Sequence, residues 1–148
     1  MTSKKYEHIR EEAYQANMRL PSLGLVVFTF GNASAADRNL GVFAIKPSGM
    51  PYDELSHGKM VVVDFEGKTV EGTLRPSSDT PTHAVLYRRW EKIGGICHTH
   101  STYATAWAQS QRSIPIYGTT HADHITVDIP CAPPIDRKSV VSGTRVAL

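Results

Sequence analysis

The chain has 148 residues, 41% hydrophobic and 20% charged, with a formal net charge of +2. This is the composition of one soluble globular domain rather than a disordered chain, and the charge is too small to argue for nucleic acid or an anionic membrane surface. No apolar run reaches the roughly 18 residues that a membrane span needs, and the N-terminus turns amphipathic where a signal peptide would be apolar. Cys97 and Cys131 have neither zinc-type spacing nor the density of a disulfide scaffold. The expected location is cytoplasmic.

Tyr6, Ile9, Ala13, Ala16 and Leu20 recur at three- and four-residue intervals, which predicts an amphipathic helix ended by Pro21. Leu25 to Phe30 reads as a strand closed by the turn pair Gly31-Asn32, and Val42 to Ile45 as a second strand stopped by Lys46-Pro47-Ser48-Gly49. Met60 to Phe65 gives a third strand, followed by a turn at Glu66-Gly67-Lys68 and a short strand at Thr69-Val70. Thr80-Pro81 has the form of an N-cap followed by an N1 proline, opening a helix to about Trp90. Ile93 to His100 is a strand entered through two glycines; a helix follows from Ser101 or Thr102 to about Gln109, and Ile125 to Ile129 is a last short strand. The predicted fold class is α/β, a sandwich around a largely antiparallel central sheet. Trp90 and Trp107 are expected to be packing anchors, and His8 and His57 surface residues.

His98-Thr99-His100 carries the most chemical information. Side chains two apart on a strand share a face, so two imidazoles converge there and can hold one divalent metal through neutral nitrogens. The structural alternative is a pair of half-buried histidines satisfied by backbone carbonyls. A second histidine–acid cluster follows at His121, Asp123 and His124. Three turns suit an anion. Ser48-Gly49 offers a hydroxyl and an open N–H with Lys46 nearby; Ser77-Ser78 precedes the helix at Thr80; Gly31-Asn32 adds an amide donor. Each alone reads as an ordinary turn or cap.

Thr29-Phe30-Gly31-Asn32, Lys46-Pro47-Ser48-Gly49, Arg75-Pro76-Ser77-Ser78-Asp79-Thr80-Pro81-Thr82-His83, Gly94-Gly95-Ile96-Cys97-His98-Thr99-His100 and Gly118-Thr119-Thr120-His121-Ala122-Asp123 stand in this order. With them the chain, from Leu20 to about Pro133, resembles the L-ribulose-5-phosphate 4-epimerase family, a branch of the class II, metal-dependent aldolase/epimerase superfamily. The resemblance implies an α/β/α sandwich and a divalent metal, zinc first, held by His98, His100 and Asp79, whose alternative role is to cap the Thr80 helix. It implies a pentulose 5-phosphate substrate held by Gly31, Asn32, Lys46, Ser48, Gly49, Ser77 and Ser78, with Asp123 as general acid/base. His121 and His124 are assigned supporting places, and His83 faces the core of its helix or backs the site. The complete protein is expected to be a homotetramer with no nucleic-acid or membrane partner.

The reaction implied is interconversion of L-ribulose 5-phosphate and D-xylulose 5-phosphate. A class II aldolase that releases its products is the alternative enzyme, and a binding remnant without catalysis is the non-enzymatic one. Residues 1–134 are read as the N-terminal part of a single class II aldolase/epimerase domain. Residues 135–148 show no family pattern, and Asp136 to Val141 reads as a translated sequencing-library adapter. The family's third metal histidine and partner tyrosine lie in a segment that this sequence does not contain, so the chain is expected to be an inactive fragment with an incomplete fold at its C-terminus.

Overall fold

In the computed structural model, which describes residues 3–133, the first helix (α1, Glu7–Ser22) follows a short 3-10 turn at Lys4–Tyr6. Ile9, Ala13 and Leu20 are its buried apolar stripe. Pro21 does not end it. A proline lacks only its own N–H, and the N–H groups that follow still bond. Leu23 N–H donates to Arg19 O, Gly24 N–H to Pro21 O and Leu25 N–H to Leu20 O, with Gly24 at φ 68°. That is a Schellman closure, and the left-handed glycine is what stops the helix. Asn17, between the apolar positions, is fully buried and satisfied. Its amide donates to Ala13 O and Ala33 O, and its Oδ1 accepts from Ala33 N–H at 2.9 Å, tying α1 to the first strand.

That strand is β1, Asn32–Asp37, not the more apolar Leu25–Phe30 expected from the sequence. β1 is sandwiched by helices on both faces, and its alanines and serine allow close approach where branched side chains would not. The Leu25–Phe30 run instead forms an irregular segment with Phe28 at φ 56° and 83% exposed. Strands β2 (Val42–Ile45), β3 (Val61–Asp64), β4 (Thr69–Glu71) and β5 (Gly95–His98) complete an antiparallel sheet of order β4-β3-β2-β1-β5. Helix α2 (Thr80–Arg89) precedes β5 in the chain, and α3 (Thr102–Gln109) and α4 (Thr119–His124) follow it. The expected strand over Ile125–Ile129 reduces to one bridge, Ile114 to Ile129.

Ile9 and Ala13 of α1 pack with Ala35, Val42, Ala44 and Val62 on one sheet face. Ala84 and Tyr87 of α2 pack with Phe43, Ile45 and Val63 on the other. The result is an α/β/α arrangement around an antiparallel sheet, as the patterning implied. Arg38 fixes the far end of α2 by donating to the carbonyls of Tyr87, Trp90 and Ile93, with its guanidinium over the Phe65 and Tyr87 rings. Trp90, expected as a packing anchor, is 40% exposed and supplies only that carbonyl. His8 and His57 are exposed as expected, beside Asp37 and Glu11.

Alternation along β1 turns Asn32 and Ser34 toward α2. Ser34 Oγ lies 2.7 Å from both His83 Nδ1 and Tyr87 OH, one helical turn apart. Burial pushes the His83 imidazole down to about 4; nearby Asp79 works against this and His98 with it. His83 is therefore buried neutral, and its pKa is lower folded than unfolded. Its contribution to stability is fully present above pH 6.5 and is lost as pH falls toward 4. The expected loss is on the order of 3 kcal/mol. Denaturant titrations from about pH 7 to about pH 4 should show this loss in the wild type and a flatter profile in His83→Asn; identical profiles would show that another group sets the acid limb.

The chain divides into two compact units, Met1–His100 and Ser101–Leu148. The sheet, α1 and α2 belong to the first. In the second, α3 and α4 are accompanied by the Trp107 ring, 6.3 Å from Tyr117 and 5.3 Å from the Arg112 guanidinium. The tail expected to depart from the family, residues 135–148, lies outside the described residues.

Candidate active site

The N-terminus of α2 meets the ends of β1 and β5 in the first unit. Asn32 and His98 are direct partners in the β1–β5 ladder. Asp79 occupies the N-cap position of α2, but its side chain caps nothing. Instead Oδ2 accepts from His98 Nδ1 at 2.6 Å and from Asn32 Nδ2 at 2.6 Å. The bond from His98 holds the Asp79 carboxyl below its ordinary value despite burial, and the same bond raises the His98 imidazole. Ser77 takes over the helix start: its Oγ accepts from Asp79 N–H, and its carbonyl from Thr80 N–H. Ser77 Oγ also accepts from Asn32 Nδ2 at 3.2 Å.

His100 lies past the end of β5, anchored by its N–H to Leu25 O. Its ring stacks on Phe30 and sits 4.9 Å, centroid to centroid, from His98. The two imidazoles converge as strand alternation implied, although only one of them is in the strand.

Gly31 makes this corner possible. It sits at φ 75°, and an added Cβ would stand 2.5 Å from Val26 Cγ1 and 2.9 Å from His98 O. Gly31→Ala is expected to destabilise the fold by roughly 2–4 kcal/mol through left-handed strain and overpacking. Chemical denaturation measures this directly, and a neutral result would mean that the corner relaxes freely.

A cavity of about 310 Å³ opens here, lined by residues 29–32, 46–49, 77–79, His98 and His100. Ser77 N–H donates to Lys46 O, Ser48 N–H to Arg75 O, and Pro47 bridges Pro76. The two anion-binding turns read from the sequence are thus laced side by side. Asn32, Lys46 and Ser77 are buried in the wall, while Ser48, Gly49 and Ser78 are exposed. Lys46 Nζ donates to Thr29 O, and burial lowers its pKa. Asn32 Oδ1 is buried with no partner, an acceptor left open.

A metal fits this corner in part. With Nδ1–H committed to Asp79, His98 keeps its Nε2 lone pair, the arrangement by which a carboxylate orients a ligating histidine from behind. His100 supplies a second nitrogen. Among the described residues no group of three or more His, Cys, Asp or Glu has metal-holding geometry. Asp123, His121 and His124 lie on α4 in the second unit, with Asp123 exposed.

Three layers around an antiparallel sheet are the fold of the class II aldolases. The chain belongs to the family of the Class II Aldolase and Adducin N-terminal domain, whose profile matches residues 11–147. An L-fuculose 1-phosphate aldolase is similar at 29% identity and a TM-score of 0.80, over 95% of this chain and 66% of that one. YgbL from Klebsiella pneumoniae, a candidate aldolase/epimerase/decarboxylase, is 29% identical with a TM-score of 0.62, over 69% of this chain and 48% of its own. The L-fuculose-1-phosphate aldolase from Thermus thermophilus shares the fold at 24% identity, a TM-score of 0.69, and 91% and 68% coverage. The chain spans 66% and 48% of the lengths of the first two. Among the described residues no helix is long and apolar enough to cross a membrane.

Tyr52, whose hydroxyl lies 3.0 Å from the Phe30 and Gly31 carbonyl oxygens at the site, was not singled out from the sequence, and neither were Asn17 and Arg38, which order the fold around it. Asn17 breaks an apolar stripe and Arg38 follows a strand, signals too common to select them. Tyr52 had only its closeness to Gly49.

Proposed function

We propose that the protein acts on a pentulose 5-phosphate, interconverting L-ribulose 5-phosphate and D-xylulose 5-phosphate by breaking and remaking the C3–C4 bond. The observation that carries this reading is the cavity itself, which the laced turns at 46–49 and 77–78 share with His98, held by Asp79, and with His100. The Thr119-Thr120-His121-Ala122-Asp123 block favours the epimerase branch.

The chemistry demands cleavage because the hydrogen on C4 is not acidic. A base takes the C4 hydroxyl proton, the C3–C4 electron pair moves toward the C2 carbonyl, and glycolaldehyde phosphate separates. Re-addition to the other face of its aldehyde, with the proton returned to oxygen, inverts C4. Asp123 is assigned one of these proton transfers. Lys46, Ser48, Gly49, Ser77 and Ser78 hold the phosphate so that the aldehyde is retained while it turns. His98 and His100 would hold a divalent cation, zinc first, and Asp79 sets the tautomer and direction of His98. Such a cation would supply Lewis-acid stabilisation of the enolate charge that develops on the C2 oxygen. A homotetramer in the cytoplasm is the assembly that accompanies this reading.

A second reading, a sugar-phosphate aldolase, is favoured by the 29% identity to an L-fuculose 1-phosphate aldolase. Incubation of the complete protein with L-ribulose 5-phosphate separates the two. D-xylulose 5-phosphate without free glycolaldehyde phosphate is expected; accumulation of the free aldehyde would replace the epimerase with the aldolase.

A further inference from the structure

Three successive backbone carbonyls, of Thr29, Phe30 and Gly31, are each taken by a side-chain donor. Lys46 Nζ donates to Thr29 O at 3.1 Å. The Tyr52 hydroxyl is 3.0 Å from both Phe30 O and Gly31 O, and its proton is shared between them. The Tyr52 ring also lies 4.8 Å from Lys46 Nζ, in cation–π contact. Both side chains are buried, Tyr52 at 8% exposure and Lys46 at 2%.

The consequences meet at the cavity. The Phe30–Gly31 turn leads directly into Asn32, and Gly31 packs so closely on Val26 and His98 that a Cβ there would collide with both. An ammonium carries three hydrogens, so after Thr29 O two remain for an anion. Burial alone works against the charged form of Lys46, and the aromatic face beside it works in its favour.

We propose that Tyr52 is a positioning residue for anion binding: its hydroxyl fixes the turn that delivers Asn32, and its ring holds the Lys46 ammonium at the cavity wall. Tyr52 touches no substrate in this role. It acts through Lys46 and Asn32, and the inference rests on the reading of the cavity as a phosphate cradle.

Equilibrium dialysis of the full-length protein against radiolabelled inorganic phosphate tests it. Lys46→Gln should abolish uptake. Tyr52→Phe, which keeps the ring and the packing, should weaken phosphate about tenfold, the worth of a buried hydrogen bond left unmade. Metal content and the far-UV spectrum should not change in that variant. Tyr52→Leu should weaken phosphate further. Unchanged affinity in Tyr52→Phe with uptake lost in Lys46→Gln would overturn the role of Tyr52 and leave the cradle standing. Parallel loss of phosphate, metal and far-UV signal in Tyr52→Phe would reduce Tyr52 to general packing and overturn the proposal. No uptake by the wild type, or full uptake by Lys46→Gln, would remove the cradle and the inference together.

Discussion

In the complete protein, His98→Ala is expected to abolish tight divalent-metal binding and turnover together. His98 is the better held of the two imidazoles, fixed through Nδ1 by Asp79 and through its backbone by Asn32 of β1. Its removal leaves His100 as the remaining nitrogen at this corner, and one imidazole does not retain zinc through dialysis. His100→Ala should give the same result, because the two rings act as a pair 4.9 Å apart. Asp79→Asn separates orientation from ligation. An amide in place of the carboxylate weakens the hold on His98 without removing a nitrogen, so metal affinity should fall by roughly 10–100-fold rather than vanish. Elemental analysis after dialysis, with turnover measured on the same samples, distinguishes these outcomes. Stoichiometric metal in both histidine variants would make the pair structural.

The sequence announced this corner more clearly than it announced the fold around it. His98, His100, Asp79, Asn32, Lys46 and the serines at 48 and 77 are brought to one cavity, and each belongs to a short block whose residue types suit an anion or a metal. The helix limits of α2 and the strand at Val42–Ile45 were legible because turn residues and an N-terminal proline bracket them. β1 was not. A strand read by hydrophobicity falls on Leu25–Phe30, whereas the strand formed is Asn-Ala-Ser-Ala-Ala-Asp, selected because small side chains let helices close on both faces. The role of Asp79 was half legible. Its position before Thr80-Pro81 signals a cap, yet the carboxylate turns away to His98 and Asn32 and leaves Ser77 to receive the backbone donor. Local propensity describes the cap; only the tertiary meeting of α2, β1 and β5 decides which partner wins. The Tyr52 and Arg38 contacts reach across the chain to backbone carbonyls, which present no side-chain identity for a sequence pattern to match.

In the complete protein, Asp123→Asn is expected to lower turnover by about two to four orders of magnitude, the usual worth of one general acid/base. Asp123 stands on the exposed face of α4, in the second unit, within the block that most favours the epimerase reading. Asparagine keeps the size and the hydrogen-bonding carbonyl but cannot take a proton. The substitution therefore leaves phosphate and metal binding in place while removing transfer from the C4 hydroxyl. KM should move little and kcat should carry the loss, because a proton in flight is stabilised in the transition state and not in the bound ground state. Metal content is the control. If it falls with turnover, Asp123 belongs among the ligands and supplies the donor that His98 and His100 lack. If metal, KM and kcat all survive, proton transfer must pass to another group, and His121 and His124, on the same short helix, are the first to substitute.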